Sequence, residues 1–279
     1  MTTPDSTAAA VRGTAIEVVG LHKSYGDHHV LDGVDLAVPA GSVYALLGPN
    51  GAGKTTMVNI LSTLLAADAG VVRVAGHDVR REPDRVRAAI GVTGQFSAID
   101  MFLTGRENLR LMADLTHLDR ATAVRDVAAL LDRFDLADAA DRRALTWSGG
   151  MRRRLDLAMT LITRPRLIFL DEPTTGLDPR SRRAVWQVVR EQVADGVTVL
   201  LTTQYLEEAD ALADRVGVLD VGTLVAEGTP GELKAQVPGG ATSLDDVFLA
   251  LTGHAADPAV VGPDTDTDTD NATSEVTAR

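Results

Sequence analysis

Cysteine is absent from the 279 residues, which excludes disulfides and thiolate metal sites and fits a reducing compartment. No apolar run approaches the roughly 20 residues needed to cross a bilayer. The opening stretch MTTPDSTAAAVRG has neither the charged start nor the apolar core of a signal peptide. The expectation is a chain without leader or span, reaching a membrane only through a partner. A basic surface is also missing. The formal charge is −12, which argues against general nucleic-acid binding, where cationic side chains must displace counterions. Lysine is nearly absent: Lys23, Lys54 and Lys234 stand against 24 arginines, a compositional bias without functional meaning. The histidines (His22, His28, His29, His77, His117, His254) form no pair at helical metal-binding spacing.

Part of the acidity is local. From His254 onward six acids face one base, Arg279. The run DTDTDTD at 264–270 has nothing to bury, so 254–279 is expected to be a disordered acidic tail. The 45% hydrophobic content is ordinary for a domain with a sizeable core.

Strand patterns bounded by Gly and Pro occur at 15–20, 30–38, 42–47, 71–75 and 89–93. After the third, Met57, Ile60, Leu61 and Leu64 recur at i, i+3, i+4 and i+7, the period of a helix. Thr104 and Glu107 form a capping box, and from there to about 163 the chain reads as helical. Strands return at 166–171, 197–203, 214–219 and 223–227. Asp178-Pro179 opens a helix whose apolar face is Val185, Val188, Val189 and Val193 and which Gly196 stops. Another helix is expected near 206–213, and 236–253 carries Leu244, Val247, Phe248 and Leu251 on one helical face. Strands alternating with helices imply an α/β fold with a mainly parallel sheet covered on both faces. The block at 103–163 interrupts the alternation as an inserted helical subdomain. The expected division is a flexible N-terminus at 1–13, a core at 14–102 and 164–235, an extension at 236–253 and the tail at 254–279.

Residues 48–56, GPNGAGKTT, match G-x-x-x-x-G-K-[ST] between a strand and a helix. In the loop Gly48, Pro49, Asn50, Gly51, Ala52 and Gly53 the glycines let backbone N–H groups turn inward around phosphate oxygens, Pro49 having none to offer. The helix N-terminus adds its positive dipole end. Lys54 is suited to the β- and γ-phosphates and the Thr55 hydroxyl to Mg²⁺, with Thr56 closing the motif. The apolar strand LIFLDEP at 167–173 ends in Asp171, placed to hold Mg²⁺. Glu172 follows, a carboxylate that can orient and polarise an attacking water. These two motifs describe a nucleoside-triphosphate site.

The stretch LTWSGGMRRRLDLA at 145–158, followed about twenty residues later by Asp171-Glu172, resembles the ATPase subunit of ABC transporters. The likeness covers about residues 15–235. It implies a P-loop NTPase core with added antiparallel strands and a helical subdomain. It also implies ATP as the nucleotide, and a homodimer in which each ATP lies between one subunit's Lys54 loop and its partner's Ser148-Gly149-Gly150. By the same resemblance Tyr25 stacks on adenine, Gln95 contacts Mg²⁺ and water, and Asp178 belongs to the loop that touches the opposite subunit. Gln204 stands where the family's histidine contacts the γ-phosphate. An amide can still donate and accept there, but cannot gain a charge near neutral pH.

The stretches TGQFSAIDMFLTGRENL (93–109), TTQYLEEAD (202–210) and SLDDVFLALTG (243–253) resemble the daunorubicin/doxorubicin-resistance type of antibiotic exporter, which tends to carry glutamine at this position. That branch implies a separate membrane permease, a location on the cytoplasmic face of the membrane, and export of a drug or secondary metabolite. Phe96, Ile99, Met101, Phe102 and Leu103 are the candidate docking surface, with burial against the helical block as the equal alternative. Trp147 departs from the smaller aromatic of the branch. Arg152-Arg153-Arg154 read as surface pairs or phosphate-side contacts. Two other readings stay open: a soluble ABC ATPase, and a module that senses nucleotide without turnover.

Overall fold

The computed structural model describes residues 13–94, 98–237 and 242–253. Residues 1–12 of the expected N-terminal segment, Gln95, Phe96 and the tail 254–279 lie outside the described residues. Two sheets carry the fold. The first holds β1 (Thr14–Tyr25), β2 (His28–Pro39), β4 (Ala69–Val74) and β5 (His77–Asp78) in the order β2-β1-β4-β5, all antiparallel. The second holds β3 (Val43–Leu47), β6 (Ile90–Thr93), β7 (Leu167–Asp171), β8 (Thr198–Thr203), β9 (Arg215–Asp220) and β10 (Thr223–Gly228). Its order is β10-β9-β3-β8-β7-β6, parallel except for β10 against β9.

The first strands thus leave the parallel sheet and form their own layer. The cause is local. Only Gly26-Asp27 separate β1 from β2, with Gly26 at φ 58°, and a two-residue hairpin permits only antiparallel pairing. Burial patterns follow: β1 and β2 alternate, whereas every residue of β3, β7 and β8 is buried, as expected for parallel strands covered on both faces. The period of two divides their side chains between two cores. Tyr44, Leu46, Leu167 and Phe169 face the antiparallel sheet, while Val43, Ala45, Leu47, Ile168 and Leu170 face the helices of the other side.

Helix α1 (Lys54–Leu61) buries Met57, Ile60 and Leu61 between the two sheets. It stops before Leu64, which is 71% exposed: Thr63 turns left-handed at φ 67°, so the expected i+7 position is not helical. Helix α2 (Pro83–Ala89) was not legible in the apolar pattern, since it buries only Val86. The helical block consists of α3 (Gly105–Leu115), α4 (Arg120–Arg133) and α5 (Gly149–Leu161), with two single 3₁₀ turns before α5. The Thr104–Glu107 capping box is formed. Trp147 is buried, its ring so close to Gly105 that a Cβ there would clash with it.

Helix α6 (Pro179–Ala194) ends at Gly196, φ 88°. After α7 (Leu206–Leu212) and α8 (Pro230–Gln236), α9 (Leu244–Thr252) buries Leu244, Val247 and Phe248 but leaves Leu251 at the surface. Among the described residues no helix is long and apolar enough to cross a membrane.

Candidate functional site

The C-terminal ends of the parallel strands meet in one place, the customary site for ligands in open α/β sheets. The loop after β3 enters α1 through Gly51 and Gly53, at φ 83° and 106°. A side chain at Gly53 would bring its Cβ to 2.7 Å from the Val30 carbonyl oxygen. Glycine is therefore required there for conformation and for space. The start of α1 has no side-chain cap. The first N–H groups of a helix have no intrahelical acceptor, and an anion is a natural one.

Lys54 is buried and donates to the carbonyl oxygens of Gly48 (2.6 Å) and Pro49 (3.0 Å). Burial pulls its pKa below the ordinary lysine value, while the charges of Glu172 and Asp171 oppose that shift. The ammonium is thus held on its own loop until a more negative partner arrives. Thr55 Oγ1 donates to Asp171 Oδ2 (3.2 Å), joining the phosphate loop to the end of β7. The other carboxylate oxygen, Oδ1, accepts from the Thr202 hydroxyl on β8. Asp171 is 4% exposed. The pair of Thr55 hydroxyl and Asp171 carboxylate, hard oxygen donors beside a phosphate-binding loop, fits Mg²⁺.

Glu172 is half-buried and its backbone is left-handed, φ 48°, a conformation that costs a non-glycine residue about 1–2 kcal/mol. The turn is over-determined. Glu172 N–H donates to Thr202 O (3.0 Å) and contacts its hydroxyl (3.3 Å), and Glu172 Oε2 accepts from the Thr175 hydroxyl (3.2 Å). Thr202, which binds both acids, carries no sequence signal beyond its place in a β-branched run.

Gln204 stands one residue beyond β8. Its amide oxygen is buried and has no hydrogen-bond partner among the described residues, and the next residue, Tyr205, donates its N–H to Thr203 Oγ1 (2.9 Å). Behind it, the fully buried Glu208 accepts from Trp186 Nε1 (3.0 Å). Burial raises the Glu208 pKa above the ordinary carboxylate value, although hydrogen bonds and Arg182 oppose the shift.

The remaining residues sit apart. Tyr25, at the end of β1, is 54% exposed with Lys23 Nζ 5.4 Å from its ring centre. Ser148 and Gly149 are exposed at the start of α5, where Ser148 Oγ accepts from Met151 N–H (3.3 Å). Gly150 is buried, and a Cβ there would stand 2.9 Å from Ser181 Cβ. Ser181 in turn donates to Asp178 Oδ2 (2.6 Å), while Asp178 Oδ1 caps α6 by accepting from Arg180 and Ser181 N–H (2.9 Å each). The glycine motif and the Asp178 loop therefore form one unit. Pro49, Asn50, Ala52 and Thr56 lie in or just after the phosphate loop, with Ala52 buried. Gln95 lies outside the described residues.

Two expectations change. Ile99 is 9% exposed and belongs to the core, whereas Phe102 is 75% exposed. The loop is fixed by the buried Asn108, which accepts from Asp100 N–H and donates to the carbonyls of Asp100 and Thr104. Arg153 is not a surface arginine: its side chain is 15% exposed and bonded to backbone carbonyls. A cleft of about 580 Å³ between Gly149, Arg153 and Glu172 borders the site. A cavity of about 730 Å³ lies at the opposite strand ends, near Gly13, Arg133 and Val197, and contains none of the motif residues.

Residues 31–175 match the family described as ABC transporter. The chain is 58% identical over 226 residues to the daunorubicin resistance ATP-binding protein DrrA3 of Streptomyces coeruleorubidus, covering 81% of this chain and 72% of that protein. It is 42% identical over 221 residues to the Nod factor export ATP-binding protein I of Paraburkholderia xenovorans, covering 79% and 73%. A solved ATP-binding subunit of an ABC transporter superposes with a TM-score of 0.77 at 30% identity, covering 85% of this chain and 99% of that one. With a phosphate loop hydrogen-bonded to a carboxylate-ended strand, and this similarity along most of its length, the chain belongs to the ABC transporter family as an ATP-binding, ATP-hydrolysing subunit that works with a membrane permease.

Proposed function

We propose that this subunit powers export of a drug or secondary metabolite through a separate permease, from the cytoplasmic face of the membrane. The names of its relatives support that class of cargo. The hydrogen bonds Thr55–Asp171–Thr202 carry the chemical part of the reading, because they bring the phosphate loop, the acid strand and the strand of Gln204 to one point.

In this reading Lys54 leaves its loop carbonyls for the β- and γ-phosphates, and the uncapped start of α1 receives phosphate oxygens. Thr55 and Asp171, with Gln95, would hold Mg²⁺, which supplies charge neutralisation on the phosphates when bound. Glu172 accepts a hydrogen bond from the attacking water and aims it at the γ-phosphorus. Gln204 turns its amide NH₂ toward the γ-phosphate, to which only that end of the amide can donate. Tyr25 stacks on the adenine. Ser148, Gly149 and Gly150 face the γ-phosphate of a second subunit's ATP, and Asp178 sits at that seam. The division into core 14–102 and 164–235, helical subdomain 103–163 and extension 236–253 is part of the same reading, with no nucleic acid as partner. Phe102 is the preferred permease contact. Phe102→Glu is expected to release the chain from membranes containing its permease while ATP turnover of the isolated chain stays within about twofold.

The test is Mg-ATP turnover of the purified chain beside Glu172→Gln and Gln204→His. The expected result is hydrolysis by the wild type and a loss of about a hundredfold or more in Glu172→Gln. Gln204→His should change the rate by about tenfold or less, since it exchanges one hydrogen bond for another. A silent wild type awakened by Gln204→His would make Gln204 a brake and overturn this assignment.

A further inference from the structure

Arg153 makes bonds that neither the phosphate loop nor the glycine motif requires. It lies in α5, and its guanidinium reaches two other elements. Nε donates to Pro173 O (2.8 Å) and Nη2 to Asp171 O (3.4 Å). These are the carbonyls immediately after and before Glu172, the left-handed residue of the turn. Nη1 donates to Gly94 O just beyond β6 (3.3 Å) and to Asp156 Oδ2 (3.2 Å). Asp156 is itself buried, and its second oxygen accepts from Ala98 N–H (3.3 Å). One buried ion pair therefore grips the chain on both sides of Glu172 and also at Gly94 and Ala98.

A planar fork with five donors can hold several carbonyls in fixed directions, and an ammonium on a flexible stem cannot. The position needs that stiffness. A left-handed backbone at a non-glycine residue persists only where its surroundings impose it, and the direction of the Glu172 carboxylate follows the direction of its backbone. We propose that Arg153, held by Asp156, is a positioning residue for ATP hydrolysis: it sets the aim of Glu172 and mechanically joins that turn to the chain at Gly94 and Ala98. This rests on the reading of Glu172 as the residue that orients the water.

The experiment measures kcat, KM and equilibrium ATP affinity for the full chain and for Arg153→Lys, Asp156→Asn and Glu172→Gln. Folding is checked by circular dichroism. A misaimed carboxylate costs rate and not binding. Arg153→Lys is expected to lose about tenfold to a hundredfold in kcat with ATP affinity within about twofold, and Asp156→Asn to lose about threefold to tenfold in the same pattern. The proposal is overturned if folded Arg153→Lys keeps kcat within about twofold while Glu172→Gln is silent, or if affinity falls in proportion to kcat. Should Arg153→Lys fail to fold, Asp156→Asn is judged by the same split. Wild-type turnover in Glu172→Gln would instead sink the underlying reading of Glu172.

Discussion

Two helix starts in this molecule face opposite ways. At α1 the cap is Gly53, which offers no side chain, and the surroundings are inward: Lys54, Asp171 and Thr202 are buried, Asp171 accepts from Thr55 and Thr202, and Lys54 donates to its own loop. At α5 the cap is Ser148, which satisfies its own helix through Met151, and both Ser148 and Gly149 lie in solvent. Each start exposes backbone donors and a positive dipole end. In the proposed reading the first is a preorganised half-site for phosphate. In the second, Gly150 is required by its packing on Ser181, but nothing among the described residues explains Gly149, where a Cβ would meet nothing within 4 Å. On the same reading the inward half serves the chemistry and the outward half serves a second chain.

The largest break in this contrast comes from the inward half. Gly53→Ala places a methyl against Val30 O and forces an L residue to φ 106°. ATP affinity is expected to fall by more than about tenfold, read by equilibrium binding. In the outward half, Ser148→Arg should leave ATP affinity of the isolated chain within about twofold yet reduce turnover by at least about tenfold. Equal loss of affinity and turnover would join the two halves in a single chain.

The smallest effect concerns Glu208, behind the inward half. Its raised pKa means that the folded chain keeps this proton where the unfolded carboxyl, near about 4.3, has released it. Stability from this group is therefore lost as pH rises from the ordinary carboxylate range through the raised value. Glu208→Gln, which still accepts from Trp186, should gain in thermal midpoint over the wild type as pH rises through that window. A difference that stays constant with pH would refute the assignment.

The inward half was legible because its chemistry dictates residue types at fixed spacing. Gly48, Gly53, Lys54 and Thr55 announce a phosphate loop, and an apolar run ending in Asp171-Glu172 announces the acid-ended strand that hydrogen-bonds to it. Asp178 was legible as a helix cap for similar reasons, and its two 2.9 Å bonds to Arg180 and Ser181 fill that role. What could not be read were contacts made by ordinary residues across the fold. Thr202 sits in a β-branched run and gains meaning only when β8 lies beside β7. Arg153 is the middle of three arginines, and only the packing of α5 against the Glu172 turn separates it from its neighbours. Ile99 and Phe102 are equally apolar in sequence, yet the hydrogen bonds of Asn108 bury one and expose the other. The antiparallel strands were implied by the resemblance, but their pairing into a sheet of their own, begun by the two-residue turn Gly26-Asp27, is a tertiary contact.

The central claim is that one chain's inward half works with another chain's outward half. It is tested by the ATP turnover of two purified heterodimers that contain the same two substitutions in different arrangements. One pairs Lys54→Ala with Ser148→Arg. The other pairs the wild type with a chain carrying both changes. If each ATP lies between the Lys54 loop of one subunit and Ser148 of the other, the first pair keeps one intact site and hydrolyses ATP, while the second keeps none and is silent. The reverse pattern, a silent first pair and an active second, would show that both halves act within a single chain and would contradict this account.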